Sequence, residues 1–252
     1  MIDSTIDSGT VTTDIDAGIA TVIFAHPKGN SLPGSLLAQI ADAIQTLGGD
    51  PDVKVIVLRS KGGGAFCAGA SFAELQAITD EQSGTKFFMG FATLILAMIR
   101  CPKFIVTRVQ GKAVGGGVGI VAASDYVMAT EAASVRLSEL AVGIGPFVVG
   151  PAIERKIGLG AFSALTVDAE WRNAHWAERH GLYASVHDTT DALDDAVRQL
   201  AQRLATSNPE AMARLKANFW AGTEGWGELL ASRAAASGML VLSDFTRRTL
   251  AR

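Results

Sequence analysis

Short β-branched and aliphatic runs alternate with stretches whose apolar positions recur every three or four residues. Residues 19–24 (IATVIF), 53–58 (VKVIVL), 104–106, 126–130, 134–137 and 182–187 read as strands. Each is a brief apolar run bounded by turn formers, the pattern of a buried sheet position. Between the first two, residues 34–47 place Leu36, Leu37, Ile40, Ala43, Ile44 and Leu47 at helical spacing, with Gly48 and Gly49 as a stop. A helix is predicted after Ser71, whose hydroxyl can cap it. Others are predicted over 87–99 ending at Arg100, after the glycines 115–117, through Ile157, and over 161–167 and 173–180. From Asp191 onward the pattern is helical, divided at Asn208-Pro209 and loosened at 222–227. Residues before Thr10 read as a loose leader.

Repeated strand–helix crossovers predict a parallel sheet with right-handed connections. The chain shows no clean internal repeat and no low-complexity linker. Residues 1–190 are therefore expected to form one α/β core, with residues 191–252 as a helical extension.

The 252 residues are 48% apolar and 19% charged, the balance of a folded globular chain. A net charge of −3 provides no electrostatic footprint for nucleic acid. Cys67 and Cys101 are too few for a disulfide framework, which suits a reduced, cytoplasmic setting. Residues 1–16 are polar and acidic and lack the apolar stretch of a secretory signal. The apolar runs 91–99 and 140–153 are too short or too broken to span a bilayer, so no membrane partner is expected.

The chemistry concentrates in 103–125, KFIVTRVQGKAVGGGVGIVAASD. Three glycines where a strand gives way to a helix let the backbone turn sharply and approach a ligand without a Cβ in between. The first amides of such a helix are unpaired and carry the positive end of its dipole, so they can hold an anion or a developing oxyanion. The triplet is not a phosphate-binding loop, because no Lys-Ser/Thr follows. It does not fit dinucleotide binding either. No serine sits in a G-x-S-x-G elbow, and His26, His175, His180 and His187 show no metal spacing, so no metal is expected. Cys67 is a candidate thiol beside the second glycine-rich stretch, and Glu74, Asp80 and Glu81 are candidate acids.

Three stretches in order carry a resemblance: AFCAGASFAEL at 65–75, QGKAVGGGVGIVAASDYVMAT at 110–130, and SVRLSELAVGIGP at 134–146. With HPKGNSLPG at 26–34 and GLYASV at 181–186, they resemble the crotonase (enoyl-CoA hydratase/isomerase) superfamily. The resemblance implies a crotonase-like ββα spiral core, a C-terminal helical trimerisation region, and a homotrimer or dimer of trimers. It implies an acyl-CoA thioester substrate, with coenzyme A as part of the substrate and no other cofactor. It assigns an oxyanion hole to the backbone N–H groups of Ala70 and Gly116, and acid–base work to Glu139, with Ser138 in place of a proline. It puts coenzyme A against main chain near Ala68 and the loop holding Asn30.

Two departures bear on the reaction. Hydratases of the family carry a Glu where this chain has Gly119, so one carboxylate is kept and one is missing. Moving a double bond needs one group that removes and returns a proton, whereas the family's route to adding water uses two. Isomerisation is therefore expected ahead of hydration, each positioned acid–base group being worth about 10²–10⁴-fold. The family's adenine-side lysine is Ala73 here, which leaves Lys28, or Arg247 and Arg248 from a neighbour's tail, to meet the phosphates. Arg136, three residues before Glu139, is a candidate ion-pair partner that would depress its pKa. Asp125 is expected to cap or pair rather than to catalyse.

Overall fold

The computed structural model describes residues 9–251; the leader expected before Thr10 lies almost wholly outside them. Its first feature is one that apolar runs do not mark. Strand β1 (Thr10–Asp16) pairs antiparallel with β2 (Ile19–Ala25) across Ala17 and Gly18, both at positive φ. Two left-handed residues make the tight turn whose twist matches a hairpin. β1 is an exposed edge strand, and its sequence TVTTDID is correspondingly polar.

The chain continues through α1 (Gly34–Gly49), β3 (Val55–Ser60), α2 (Phe72–Gln76), α3 (Glu81–Arg100), β4 (Phe104–Val109), β5 (Ala113–Val114) and α4 (Gly116–Ala123). Next come β6 (Tyr126–Thr130), β7 (Ser134–Arg136), a 3₁₀ turn (Leu140–Val142), α5 (Gly150–Val167), β8 (Arg172–Asn173), α6 (Ala174–Arg179) and β9 (Ser185–His187). The tail is α7 (Thr190–Ala205), α8 (Pro209–Phe219), α9 (Trp226–Val241) and α10 (Asp244–Leu250).

The main sheet has the order β1-β2-β3-β4-β6-β9, parallel beyond the opening hairpin. A second sheet, β5-β7-β8, stands beside it. One face of the main sheet buries Val22, Phe24, Ile56 and Leu58 with α1, α3 and α4. The other buries Val55, Val57, Val106 and Met128 under Leu193, Val197 and Ala201 of α7. Arg108 reaches across that interface to Asp194, Nε donating to Oδ1 at 2.5 Å.

Helix α3 starts six residues earlier than its apolar run predicts. Asp80 and Ser83 form a reciprocal capping box that begins the helix in a polar segment. By length and hydropathy α3 is apolar enough to cross a membrane. Its apolar positions pack instead against α1, α4 and α9. The crossing with α9 is close: a Cβ on Gly84 would lie 2.8 Å from Gly238 Cα. The two helices predicted around residue 158 both form within α5, separated by a kink at Gly158, whose φ of 76° and ψ of 158° are non-helical. The tail contains four helices rather than three, because Ser243 caps an additional one.

Asp125 is the buried fastening of that tail. Its Oδ2 lies 2.7 Å from Lys216 Nζ on α8 and accepts from Ile105 N–H at 2.8 Å, while Trp220 Nε1 donates to Oδ1 at 3.2 Å. This is the pairing role expected for it.

Candidate active site

The two glycine-rich stretches run side by side. Cys67 pairs in parallel with Ala113: Cys67 N–H donates to Lys112 O at 3.1 Å, and Val114 N–H donates to Cys67 O at 2.9 Å. Ala70 and Gly116 each lie three residues beyond that bridge. Each also directly follows a glycine at positive φ, Gly69 at 91° and Gly115 at 53°. At both positions the backbone favours glycine. Leu32 bonds to Gly69 O and to Ser71 N–H, the groups flanking Ala70, and so leaves the N–H of Ala70 facing away from it. Among the described residues neither the Ala70 nor the Gly116 amide has a hydrogen-bond partner.

Both amides border one cleft of about 200 Å³, and Glu139 borders it too. Phe72, Phe87, Phe88, Phe91 and Phe147 supply most of its wall, with Leu75, Val142, Ile144 and Val149. The approach is tight at every glycine of the triplet. A Cβ on Gly116 would lie only 2.1 Å from Phe91 Cε1, and one on Gly117 would meet Cys67 Cβ at 2.8 Å. A Cβ on Gly115 would meet Glu139 Oε1 at 3.0 Å. The bare α-carbon of Gly115 thus makes room for the carboxylate, one residue before Gly116.

Glu139 immediately precedes the 3₁₀ turn, and its carbonyl accepts from Val142 N–H at 3.2 Å and Ile144 N–H at 2.9 Å. The residue as a whole is half-buried, but its Oε2 is fully buried and has no hydrogen-bond partner among the described residues. Burial in these apolar surroundings pushes the carboxyl pKa up to about 7, against a smaller opposing effect of the backbone N–H groups of Glu139 and Ser138. The expected pairing with Arg136 does not occur. Arg136 Nε donates to Ala169 O at 2.6 Å, and its guanidinium lies over Trp171, 5.9 Å from the ring centre. The pairing of β7 with β8 brings the chain just before β8, with the Ala169 carbonyl, to the end of β7 where Arg136 stands, while the chain turns before Glu139.

Gly119, the site of the missing carboxylate, is filled from the opposite wall by Val149. The other candidate acids are engaged elsewhere. Glu74 Oε2 accepts from Gly34 N–H at 2.8 Å, Asp80 caps α3, and Glu81 sits in the first turn of that helix. None of the three borders the cleft. Cys67 is not a nucleophile, because full burial pushes its thiol up to about 12.

On the expected coenzyme side, Ala68 is exposed at the edge of the cleft, its N–H donating to Gly29 O at 3.1 Å. Asn30 is buried at φ 56°, and its side chain braces the loop. Oδ1 accepts from His26 N–H, and Nδ2 donates to Lys61 O and Ala65 O. Lys28 is exposed on the same loop, and neither it nor Asn30 borders the cleft. Arg247 and Arg248 belong to α10, which docks on its own chain's 3₁₀ turn, Thr246 Oγ1 donating to Gly143 O at 3.2 Å. Both arginine side chains are exposed. Sequence reasoning missed Val149 over Gly119 and Glu139 over Gly115, two through-space contacts that no local pattern signals.

Compared with known proteins, residues 14–245 match a family model described as enoyl-CoA hydratase/isomerase. The chain is 31% identical over 201 residues to the (7aS)-7a-methyl-1,5-dioxo-2,3,5,6,7,7a-hexahydro-1H-indene-carboxyl-CoA hydrolase of Rhodococcus jostii, covering 79% of this chain and 75% of that protein. The crystal structure of enoyl-CoA hydratase from Bacillus halodurans matches its fold with a TM-score of 0.89 at 20% identity, over 96% of this chain and 98% of that one. Enoyl-CoA hydratase of Mycobacterium smegmatis matches with a TM-score of 0.80 at 29% identity, over 93% and 91%.

Proposed function

The chain belongs to the enoyl-CoA hydratase/isomerase family, and within it we propose that this protein isomerises an enoyl-CoA through a single-carboxylate proton shuttle. The thioester oxygen sits between the amides of Ala70 and Gly116. Glu139 removes a proton from C2 of a 3-enoyl-CoA, the electrons move into the carbonyl as a dienolate, and the same carboxyl returns the proton at C4. The double bond ends in conjugation with the thioester, and no atom is gained or lost. In this reading the two amides hold the negative charge as it develops, each such donor being worth about 3–4 kcal/mol.

The observation that carries this reading is the buried Oε2 of Glu139, unpartnered among the described residues, in a carboxyl packed against Gly115. A carboxyl near neutral pKa exchanges a proton in either direction at neutral pH with little penalty. Hydration by the same carboxyl is the rival reading, and the filled space at Gly119 argues against a second acid–base group to serve it.

Supplying a 3-enoyl-CoA and a 2-enoyl-CoA separately separates the two. Isomerisation generates the conjugated chromophore from the first, whereas hydration removes it from the second. Exchange of the α-proton in heavy water should occur with the native protein and vanish in Glu139→Gln. Tight binding of the thioester with neither turnover nor exchange would instead mark a catalytically silent homologue.

A second reading follows from the Rhodococcus relative, whose name describes hydrolysis of a ring-bearing acyl-CoA. The phenylalanine-rich wall suits such a ring. Glu139 would then deprotonate water instead of C2, and incorporation of ¹⁸O from labelled water into the product would identify it. For the assembly we propose the trimer that the resemblance implies, which sedimentation velocity would measure.

A further inference from the structure

Helix α10 touches both halves of the site. At one end Thr246, fully buried, donates Oγ1–H to Gly143 O at 3.2 Å, and Gly143 closes the 3₁₀ turn that follows Glu139. Ser243 Oγ donates to Thr246 Oγ1 at 3.1 Å and fixes the rotamer. At the other end the carbonyl of Leu250 accepts from Gln76 Nε2 at 2.6 Å. Gln76 ends α2, the helix that Ser71 caps directly after the Ala70 amide. Between these two bonds Leu250 packs in a small apolar cluster with Ile144 from the turn side and Leu75 from α2.

We propose that α10 is a strap that sets the Glu139 turn against the oxyanion amides, with Thr246 as the positioning residue that holds the turn in register. The physical need is plain in the geometry. Oε2 makes no hydrogen bond among the described residues, so the carboxyl's place is set by the backbone of its turn and by packing against Gly115. That turn is short, and its left-handed Gly143 at φ 85° is held from outside by Thr246 and by the ring of Phe245, 2.5 Å from where a Cβ would lie. Without the strap, the turn keeps only its four internal backbone bonds, from Ala141 N–H to Ser138 O, from Val142 and Ile144 N–H to Glu139 O, and from Gly143 N–H to Leu140 O. A misplacement of about 1 Å in a catalytic group costs up to about 10²-fold in rate.

The activity part of the test rests on the proton-shuttle reading, so a second measurement that needs no turnover accompanies it. Thr246→Val keeps the shape and removes the donor, whereas Thr246→Ser keeps the donor. Thr246→Val should lower kcat about tenfold with KM within about twofold, and Thr246→Ser should recover the native kcat. By hydrogen exchange, the Val142 and Ile144 amides should lose about tenfold protection in Thr246→Val and none in Thr246→Ser. Native kcat and native protection in Thr246→Val would overturn the proposal, as would a loss of kcat that the serine does not recover. If the native protein exchanges no α-proton at all, the functional reading fails while the amide protection still decides the strap. Should Thr246→Val fail to fold, Gln76→Leu on the exposed side releases the far end, and unchanged turn protection there would overturn the proposal equally.

Discussion

Val149 stands directly over Gly119, its Cγ1 2.6 Å and its Cβ 2.8 Å from where a Cβ on residue 119 would lie. The place at which the resemblance implies a hydratase carboxylate is therefore closed as well as empty. Helix α4 and the segment entering α5 meet there in one buried contact, with Ile95 of α3 at its edge.

Restoring the acid at 119 should consequently fail when tried alone. Gly119→Ala is expected to destabilise the fold by about 1–3 kcal/mol through overpacking, measured by denaturant unfolding. Gly119→Glu should not raise hydration of a 2-enoyl-CoA. Combined with Val149→Gly it has room, and only the double variant is a fair test of the missing carboxylate. A single Gly119→Ala as stable as the native protein would show that the wall yields easily.

The rate should follow the ionisation of Glu139. A base must be deprotonated to begin the cycle, and burial holds this carboxyl at about 7. kcat/KM should rise with pH, reach half its plateau near pH 7 and stay level above it. In Glu139→Gln the limb should disappear and activity fall about 10²–10⁴-fold. A limb centred near 4.5 would mean that the carboxyl is solvated during turnover.

The same burial has a thermodynamic counterpart with a definite sign. Folding raises this pKa from 4.5 to about 7, so the native state holds the proton more tightly than the unfolded chain. The associated stability is fully present below about pH 4.5 and is lost as pH rises through about 7. At pH 8 the ionised, unpartnered carboxylate costs on the order of 3 kcal/mol. Glu139→Gln should therefore be more stable than the native protein at pH 8 and lose that advantage toward pH 4. Parallel unfolding curves across this window would show that the site admits water.

What the sequence discloses and what it hides divide along physical lines. Strands β2, β3, β4, β6, β7 and β9 and the amphipathic α1 follow from local periodicity, and the turns before Ala70 and Gly116 are visible through their glycines, whereas the two-residue strands β5 and β8 are too short to leave a pattern. β1 is hidden because an exposed edge strand needs no apolar run. The first six residues of α3 are hidden because a capping box, not hydrophobicity, starts the helix. Glu139 is visible through its motif, but its raised pKa is not. That value depends on Arg136 turning to Ala169 and on apolar walls from distant segments, which only the tertiary fold specifies.

Cys67 gives a sharp negative expectation. Its thiol lies fully buried beneath Gly117 and is held up at about 12, so the thiolate fraction at pH 7 is negligible. Iodoacetamide should leave it unmodified under native conditions and alkylate it in denaturant, as read by mass spectrometry. Rapid native labelling at Cys67 would mean that the 67–70 segment opens, and with it the Ala70 amide.

The sharpest test of the oxyanion assignment lies at Gly116, whose amide cannot be removed by a side-chain change but can be displaced. A Cβ there lies 2.1 Å from Cε1 of Phe91, itself 4% exposed. Gly116→Ala must therefore push the ring or the start of α4 aside, and either movement turns the amide away from the thioester oxygen. One donor of this kind is worth about 10²–10³-fold in kcat, so a loss of that size is expected with thioester binding largely retained. Phe91→Leu in the same chain opens space for the methyl group. The double variant should regain stability and part of the rate, because the amide can then return to its native direction. If Gly116→Ala alone turns over at the native rate, this amide does not carry the developing charge, and the pairing of Ala70 with Gly116 must be given up.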